Sequence, residues 1–274
     1  MGLIQFRLFA ICVSCASLIF FLVFLFDGAL NLVQMGLSHQ AVLLWDGFIS
    51  IVFFAQHSVM IRRSFCSWLT GVWPASNHRI VFTIGSGIVL AAVMIAWQPS
   101  TTVLHEFHGV SRLLFRAAFF LALAGCFWSS YTLRSSASCD PFGLAAASEQ
   151  PLDKHNRPPL LVVRGPYAYV RHPVYLMVIL LIWSCPNVTA DRLLFNVLWT
   201  FWIYIGATLE DKDMRVDFGD AYREYRKKIP MLVPSITNLL RSGRFKVRRP
   251  GVHAKVSGSA VVEDSAGRRQ ESRL

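Results

Sequence analysis

Two short stretches hold most of the chemistry-bearing side chains. Arg164-Gly165-Pro166-Tyr167 is followed closely by Arg171-His172-Pro173-Val174-Tyr175. Gly165-Pro166 is a turn signal. Pro173 suits the first position of a helix, where its missing N–H would have gone unpaired anyway. A helix opening there presents free N–H groups and partial positive charge, which favour a carboxylate. Arg171 and His172 add side-chain donors at the same level, and Tyr167, Tyr169 and Tyr175 add aromatic faces and hydroxyls. Further along, Glu210 and Asp211 offer paired acids that suit a cation. The set matches a ligand with a carboxylate, a positive centre and an aromatic body. The same residues also fit a juxtamembrane belt of snorkelling arginines and anchoring tyrosines. That belt accounts for Arg and Tyr but poorly for Arg-His-Pro-x-Tyr with a returning acidic pair. Residue chemistry leaves both readings open.

The elements that must position these groups are hydrophobic. The chain has 274 residues, 54% hydrophobic and only 16% charged, where a soluble domain carries nearer a quarter. Residues 8–26 run without a formal charge, long enough to cross the roughly 30 Å hydrocarbon core as a helix. Residues 41–61, 80–97, 117–133, 174–190 and 193–209 form five similar stretches. The first exceeds a usual signal-peptide core, and Asp27-Gly28-Ala29 is a poor cleavage site, so a retained helix is expected. Lys and Arg alternate between rich and poor loops, which places both termini in the cytoplasm. The expected fold is therefore all-α: a polytopic membrane bundle of about six transmembrane helices. Phe218, Tyr222, Tyr225 and Ile229 fall on one face of a further helix, predicted to be amphipathic, cytoplasmic and ended by Pro230.

Other features bound the function classes. Residues 241–274 hold nine Lys or Arg against Glu263, Asp264 and Glu271, a large part of the net charge of +11. Without aromatic interleaving or a nucleic-acid fold pattern, this reads as a disordered basic tail near anionic lipid heads. Cys12 and Cys15 form a C-x-x-C inside an apolar span with no second pair, whereas structural zinc needs four ligands. All six cysteines are taken as small buried hydrophobes, and no metal is expected. Asp27 and Asp46 lie at predicted membrane boundaries, where solvation is easy. His57, in Gln56-His57-Ser58, lies at the cytoplasmic end of the second span. It could be an interhelical hydrogen-bond donor or could face a substrate pocket.

The motifs then resemble a known group. Arg164-Gly165-Pro166-Tyr167, Arg171-His172-Pro173-Val174-Tyr175, Glu210-Asp211-Lys212-Asp213 and Tyr222-Arg223-Glu224-Tyr225-Arg226 are similar to the isoprenylcysteine carboxyl methyltransferase and phospholipid methyltransferase superfamily. Ala55-Gln56-His57-Ser58, Asp140-Pro141-Phe142-Gly143 and Ile229-Pro230-Met231-Leu232-Val233-Pro234 resemble its methanethiol S-methyltransferase branch, related to the NnrU proteins. The superfamily match covers roughly 164–234, and the branch match extends patchily from about 53. One departure is Glu210-Asp211 where the superfamily usually has Glu-Glu.

The resemblance implies S-adenosyl-L-methionine bound at the cytoplasmic face. Arg171 and His172 would hold its carboxylate end, and Glu210 its ammonium or a ribose hydroxyl. Asp211, Gly165, Tyr167, Pro173 and Tyr175 would line the pocket, while Tyr222 and Tyr225 would close over adenine. Arg171 and His172 are candidate catalytic residues, with His57 as base or thiol-orienting group. The expected acceptor is a small thiol, methanethiol giving dimethyl sulfide. A prenylcysteine carboxylate, a lipid amine or a non-catalytic NnrU-like role are the alternatives. The expected layout is a membrane methyltransferase domain over 1–240, with cofactor-binding part 134–234, and the 241–274 tail. The expected setting is the bacterial cytoplasmic membrane, with lipids as partners and no nucleic acid.

Overall fold

The computed structural model describes residues 3–71, 78–134, 161 and 163–234. The loop motif at 140–143 and the basic tail at 241–274 lie outside the described residues. The chain is mostly helical: α1 (Leu3–Asp27), α2 (His39–Ile61), α3 (Arg63–Thr70), α4 (His78–Ala96), α5 (Gly109–Arg134), α6 (Pro173–Trp183) and α7 (Ala190–Lys228). A one-turn 3-10 helix, Gly165–Ala168, precedes α6.

Four helices, α1, α2, α5 and α7, are long and apolar enough to cross a membrane, while α4 and α6 are apolar but shorter. Their outer faces expose Leu44, Phe48, Leu113, Leu121, Phe127 and Phe201. Apolar surface on this scale has to be covered by lipid. The protein is an integral membrane protein.

Inside, α1 packs along α4, α5 along α6, and α2 against α4 and α7. Phe24, Met94, Trp97, Ile182, Phe195 and Trp199 form the centre of the buried core. Lipid tails are as apolar as leucine, so close packing rather than water exclusion holds such helices together. Small residues mark the closest approaches. A Cβ on Gly87 would meet Val13 Cγ1 at 3.0 Å, and one on Gly125 would meet Met177 Sδ at 2.5 Å.

Several sequence expectations change. First, α5 begins at Gly109, well before 117, and takes Arg112 and Arg116 into the helix. Arg116 can lie there because it donates to Phe26 O and sits 3.6 Å over the Phe26 ring, with Asp27 as partner. Second, α6 stops at Trp183 because residues 187–189 form a strand instead. β2 (Asn187–Thr189) pairs antiparallel with β1 (Val103–Glu106), in the register Val103 to Thr189 and Glu106 to Asn187. The fold is thus helical with a small two-stranded ribbon. Third, Asp46 is not at a solvated edge but fully buried, with Oδ1 accepting from Gln98 N at 3.0 Å.

Asp46 belongs to a polar layer at the ribbon end. Asp191 accepts from Trp97 Nε1 at 3.1 Å and Ser100 N at 2.9 Å. Arg192 donates to the carbonyls of Phe24, Leu25 and Ile182. Arg192 is therefore a buried clamp between α1, α6 and α7. Of the cysteines, Cys185 is buried, whereas Cys12 and Cys15 are exposed on the outer face of α1. Their position on an outward helix face, which the apolar run alone did not fix, overturns their reading as buried.

Candidate active site

The Arg-His-Pro segment lies at the other end of the bundle, reached about 29 Å further along α7 from Asp191 at 1.5 Å per residue. Gly165 opens the approach with φ +57°, a left-handed conformation that L side chains resist. A Cβ there would also meet Thr132 Oγ1 of α5 at 3.0 Å. Gly165 thus holds the turn against α5. Pro166 O then accepts from the N–H groups of Tyr169 and Val170.

The next two N–H groups are taken by the segment after α7. Arg171 N donates to Pro230 O at 2.9 Å and His172 N to Met231 O at 3.1 Å. Pro173 begins α6 and His172 stands as its N-cap. The two side chains are thereby fixed from both flanks.

Asp211 is the hub. Its Oδ1 accepts from Tyr222 OH at 2.6 Å and lies 3.3 Å from Arg171 Nε and 3.8 Å from His172 Nε2. Its Oδ2 lies 3.3 Å from Arg226 Nε. Glu210 Oε2 stands 3.8 Å from His172 Nδ1 and is more open, 40% exposed against 6% for Asp211. His172 stacks on Tyr175 with ring centroids 5.5 Å apart. Burial holds His172 below the ordinary histidine range, with Glu210 and Asp211 pulling the other way.

Several of these buried polar atoms lack a hydrogen bond. Arg171 Nη1 and His172 Nε2 are buried without a hydrogen bond, and Arg171 Nε faces Asp211 without hydrogen-bond alignment. Such groups are costly unless satisfied. Asp211 divides its two oxygens between two guanidiniums, so it does not saturate the donors of Arg171. These features fit the carboxylate of an amino-acid-like ligand, with the half-open Glu210 beside it for an ammonium or hydroxyl.

The structure brings Arg171, His172, Tyr175, Glu210, Asp211 and Tyr222 together. Tyr167 and Tyr225 are adjacent, joined by Tyr225 OH donating to Tyr167 O at 2.6 Å. Tyr222, Tyr225 and Ile229 form a buried cluster with Phe218 and Met214. The apolar face expected from their spacing packs against protein, within a continuation of α7. His57 stands apart. Its ring contacts are Phe53, Phe82 and Trp202, and Trp202 precedes Glu210 by about 12 Å along α7. Two contributors were missed from the sequence: Arg226, and the strap carbonyls of Pro230 and Met231. Arg226 lies in the quoted Tyr222–Arg226 motif, so its basic charge was a usable signal. A backbone acceptor leaves none.

Comparison with known proteins places this geometry. No family model and no solved structure matches the chain. The methanethiol S-methyltransferase of Pseudomonas deceptionensis is 34% identical over 213 residues, covering 73% of this chain and 76% of the relative. That of Crocosphaera subtropica is 31% identical over 186 residues, 68% of this chain and 72% of the relative. The protein-S-isoprenylcysteine O-methyltransferase of Schizosaccharomyces pombe is 40% identical over 89 residues, 30% of this chain and 36% of the relative. On the breadth of these matches, the chain belongs to the methanethiol S-methyltransferase family, within the wider group of membrane methyltransferases.

Proposed function

We propose that this protein transfers a methyl group from S-adenosyl-L-methionine to a small thiol, converting methanethiol to dimethyl sulfide. The observation that carries the reading is Arg171 Nη1 and His172 Nε2, both buried without a hydrogen bond, beside Glu210 and Asp211. Family membership supports the same chemistry. When bound, the cofactor supplies a sulfonium methyl for in-line displacement and leaves as neutral S-adenosylhomocysteine.

The chain's own residues hold and orient. Arg171 and His172 hold the carboxylate, Glu210 takes the ammonium or a ribose hydroxyl, and Asp211 fixes the guanidinium of Arg171. Tyr175 and Tyr167 form the aromatic wall, with Pro173 and Gly165 setting its backbone. Tyr222 and Tyr225 close the site over adenine, anchored through their hydroxyls. The thiolate is the nucleophile, so a group must take the S–H proton, and we assign this to His57. Fixing the partners collinearly supplies much of the rate gain.

In the membrane, six helices cross or enter the bilayer, with both termini and the end of α7 cytoplasmic. Residues 1–240 form the methyltransferase domain, its cofactor part at 134–234, and the 241–274 tail lies on anionic lipid of the bacterial cytoplasmic membrane. Headspace gas chromatography of membranes given methanethiol tests the activity, with His172→Ala as control. Dimethyl sulfide from the wild type alone is the expected result. Its absence from folded protein that still binds S-adenosylhomocysteine would redirect the reading to a prenylcysteine or lipid acceptor.

A further inference from the structure

His57 lies in a chamber built by three helices. Its imidazole meets Phe53 of α2 at 5.4 Å, Phe82 of α4 at 5.1 Å and Trp202 of α7 at 5.3 Å between ring centroids. Trp202 Nε1 donates to Ser58 Oγ at 3.3 Å, and its ring stacks on Phe54 at 4.6 Å, so the indole is held. Next to His57 in α2, Gln56 Nε2 donates to Met60 Sδ. Gly85 of α4 lets α2 approach: a Cβ there would meet Met60 Sδ at 3.2 Å and Gln56 Nε2 at 3.5 Å.

Two polar atoms at this helix contact are buried without a partner, His57 Nδ1 and Gln56 Oε1. The amide oxygen is an acceptor, and so is Nδ1 in one tautomer of the neutral ring. An enclosure of aromatic walls with acceptors lacking a donor suits an apolar molecule that carries one weak donor, such as a short thiol. A water would need two to four polar partners, and a charged acceptor would find no counter-charge among Phe53, Phe82, Trp202 and Met60.

We infer that the chamber of His57, Phe82 and Trp202 is the acceptor subsite, and that Phe82 and Trp202 set the length of thiol accepted. The inference rests on the proposed thiol methyltransferase reading. Gln56 orients the S–H, and His57 takes its proton as the thiol sulfur bonds the transferred methyl carbon and that carbon's bond to the donor sulfur breaks. Each methylene that a hydrophobic pocket refuses changes selectivity about 10- to 200-fold.

The test uses full-length protein in lipid nanodiscs with methanethiol, ethanethiol, 1-propanethiol and 1-butanethiol. Wild type, Phe82→Leu and Trp202→Phe are compared by headspace product analysis. S-adenosylhomocysteine binding by calorimetry reports the state of the cofactor site. In the variants the 1-propanethiol to methanethiol ratio of kcat/KM rises at least about tenfold, with S-adenosylhomocysteine affinity within twofold of wild type. In addition, 1-propanethiol raises the melting temperature of Trp202→Phe in the absence of cofactor but not that of wild type, as a ligand of the folded state must. An unchanged chain-length profile in both variants overturns the subsite, as does a parallel loss of S-adenosylhomocysteine binding. A wild type inactive on every thiol instead refutes the underlying reading.

Discussion

Asp211 and Tyr222 are eleven positions apart in one helix, yet Tyr222 OH donates to Asp211 Oδ1 at 2.6 Å. In a straight helix their Cα atoms would be about 16 Å apart along the axis. They meet because the helix is broken at Gly219, with φ 54° and ψ −128°. Residues 220–228 fold back against the preceding turns and bring Tyr222, Tyr225 and Arg226 to the site.

This geometry demands glycine for its backbone, since a Cβ at 219 would meet nothing within 4 Å. Gly219→Ala therefore costs about 1–3 kcal/mol through strain alone. Thermal unfolding in detergent and calorimetry with S-adenosylhomocysteine are expected to show lower stability together with weaker binding. Equal values for both proteins would rule out the fold-back as a determinant of the site.

Asp211→Glu restores the acidic pair usual in the superfamily, but here the site is packed for the shorter acid. The side chain is 6% exposed and holds Tyr222, Arg171 and Arg226 at once. An added methylene in a filled site costs about 1–3 kcal/mol. S-adenosylhomocysteine affinity should fall about tenfold or more, by the usual conversion of 1.4 kcal/mol per decade. Affinity equal to wild type would show that Asp211 does not position Arg171.

His172 carries a pH dependence of definite sign. Its value in the folded protein is depressed, by burial first, so the unfolded chain binds the proton more readily. Stability from this group is complete above about pH 6.5 and is lost as pH falls from there through the folded value. Melting temperature measured from pH 8 to 5 should drop more steeply in wild type than in His172→Gln. Parallel curves would remove His172 as the source.

At the far end, Asp191→Ala leaves Trp97 Nε1 and Ser100 N without acceptors in a buried layer. The cost is about 1–3 kcal/mol for each orphaned group. Unfolding should register it while KM for the cofactor stays at the wild-type value. A change in KM without a change in stability would couple this layer to the site.

Packing of α5 on α6 is tested by Gly125→Ala, whose Cβ would meet Met177 Sδ at 2.5 Å. A loss of about 1–3 kcal/mol is expected. Met177→Ala in the same chain should recover part of it in a double-mutant cycle. Strict additivity would deny the contact.

The apolar stretches and the start of α6 at Pro173 were legible because each follows from local periodicity or a motif, and only the resemblance put Arg171 and Asp211 in one pocket. What was not legible depends on pairings distant in sequence. Asp46 is buried because an N–H from Gln98 meets it, and α6 ends early because residues 187–189 find β1. Arg116 enters a membrane helix because the end of α1 receives it. His57 and Trp202 meet for the same kind of reason, so the chamber has no signature in spacing. The break in α7 was nearer to hand, since Phe218-Gly219-Asp220 interrupts a polar helix with its least helical residue.

The pairing of Arg171 and His172 with the carbonyls of Pro230 and Met231 also orders the protein's biosynthesis. A chain is made from its N-terminus at roughly 5–20 residues per second, so the donors are made seconds before their acceptors exist. Until then the Arg171–His172 segment lacks the strap that fixes it, and a nascent chain stalled before Pro230 would leave those two N–H groups without these acceptors.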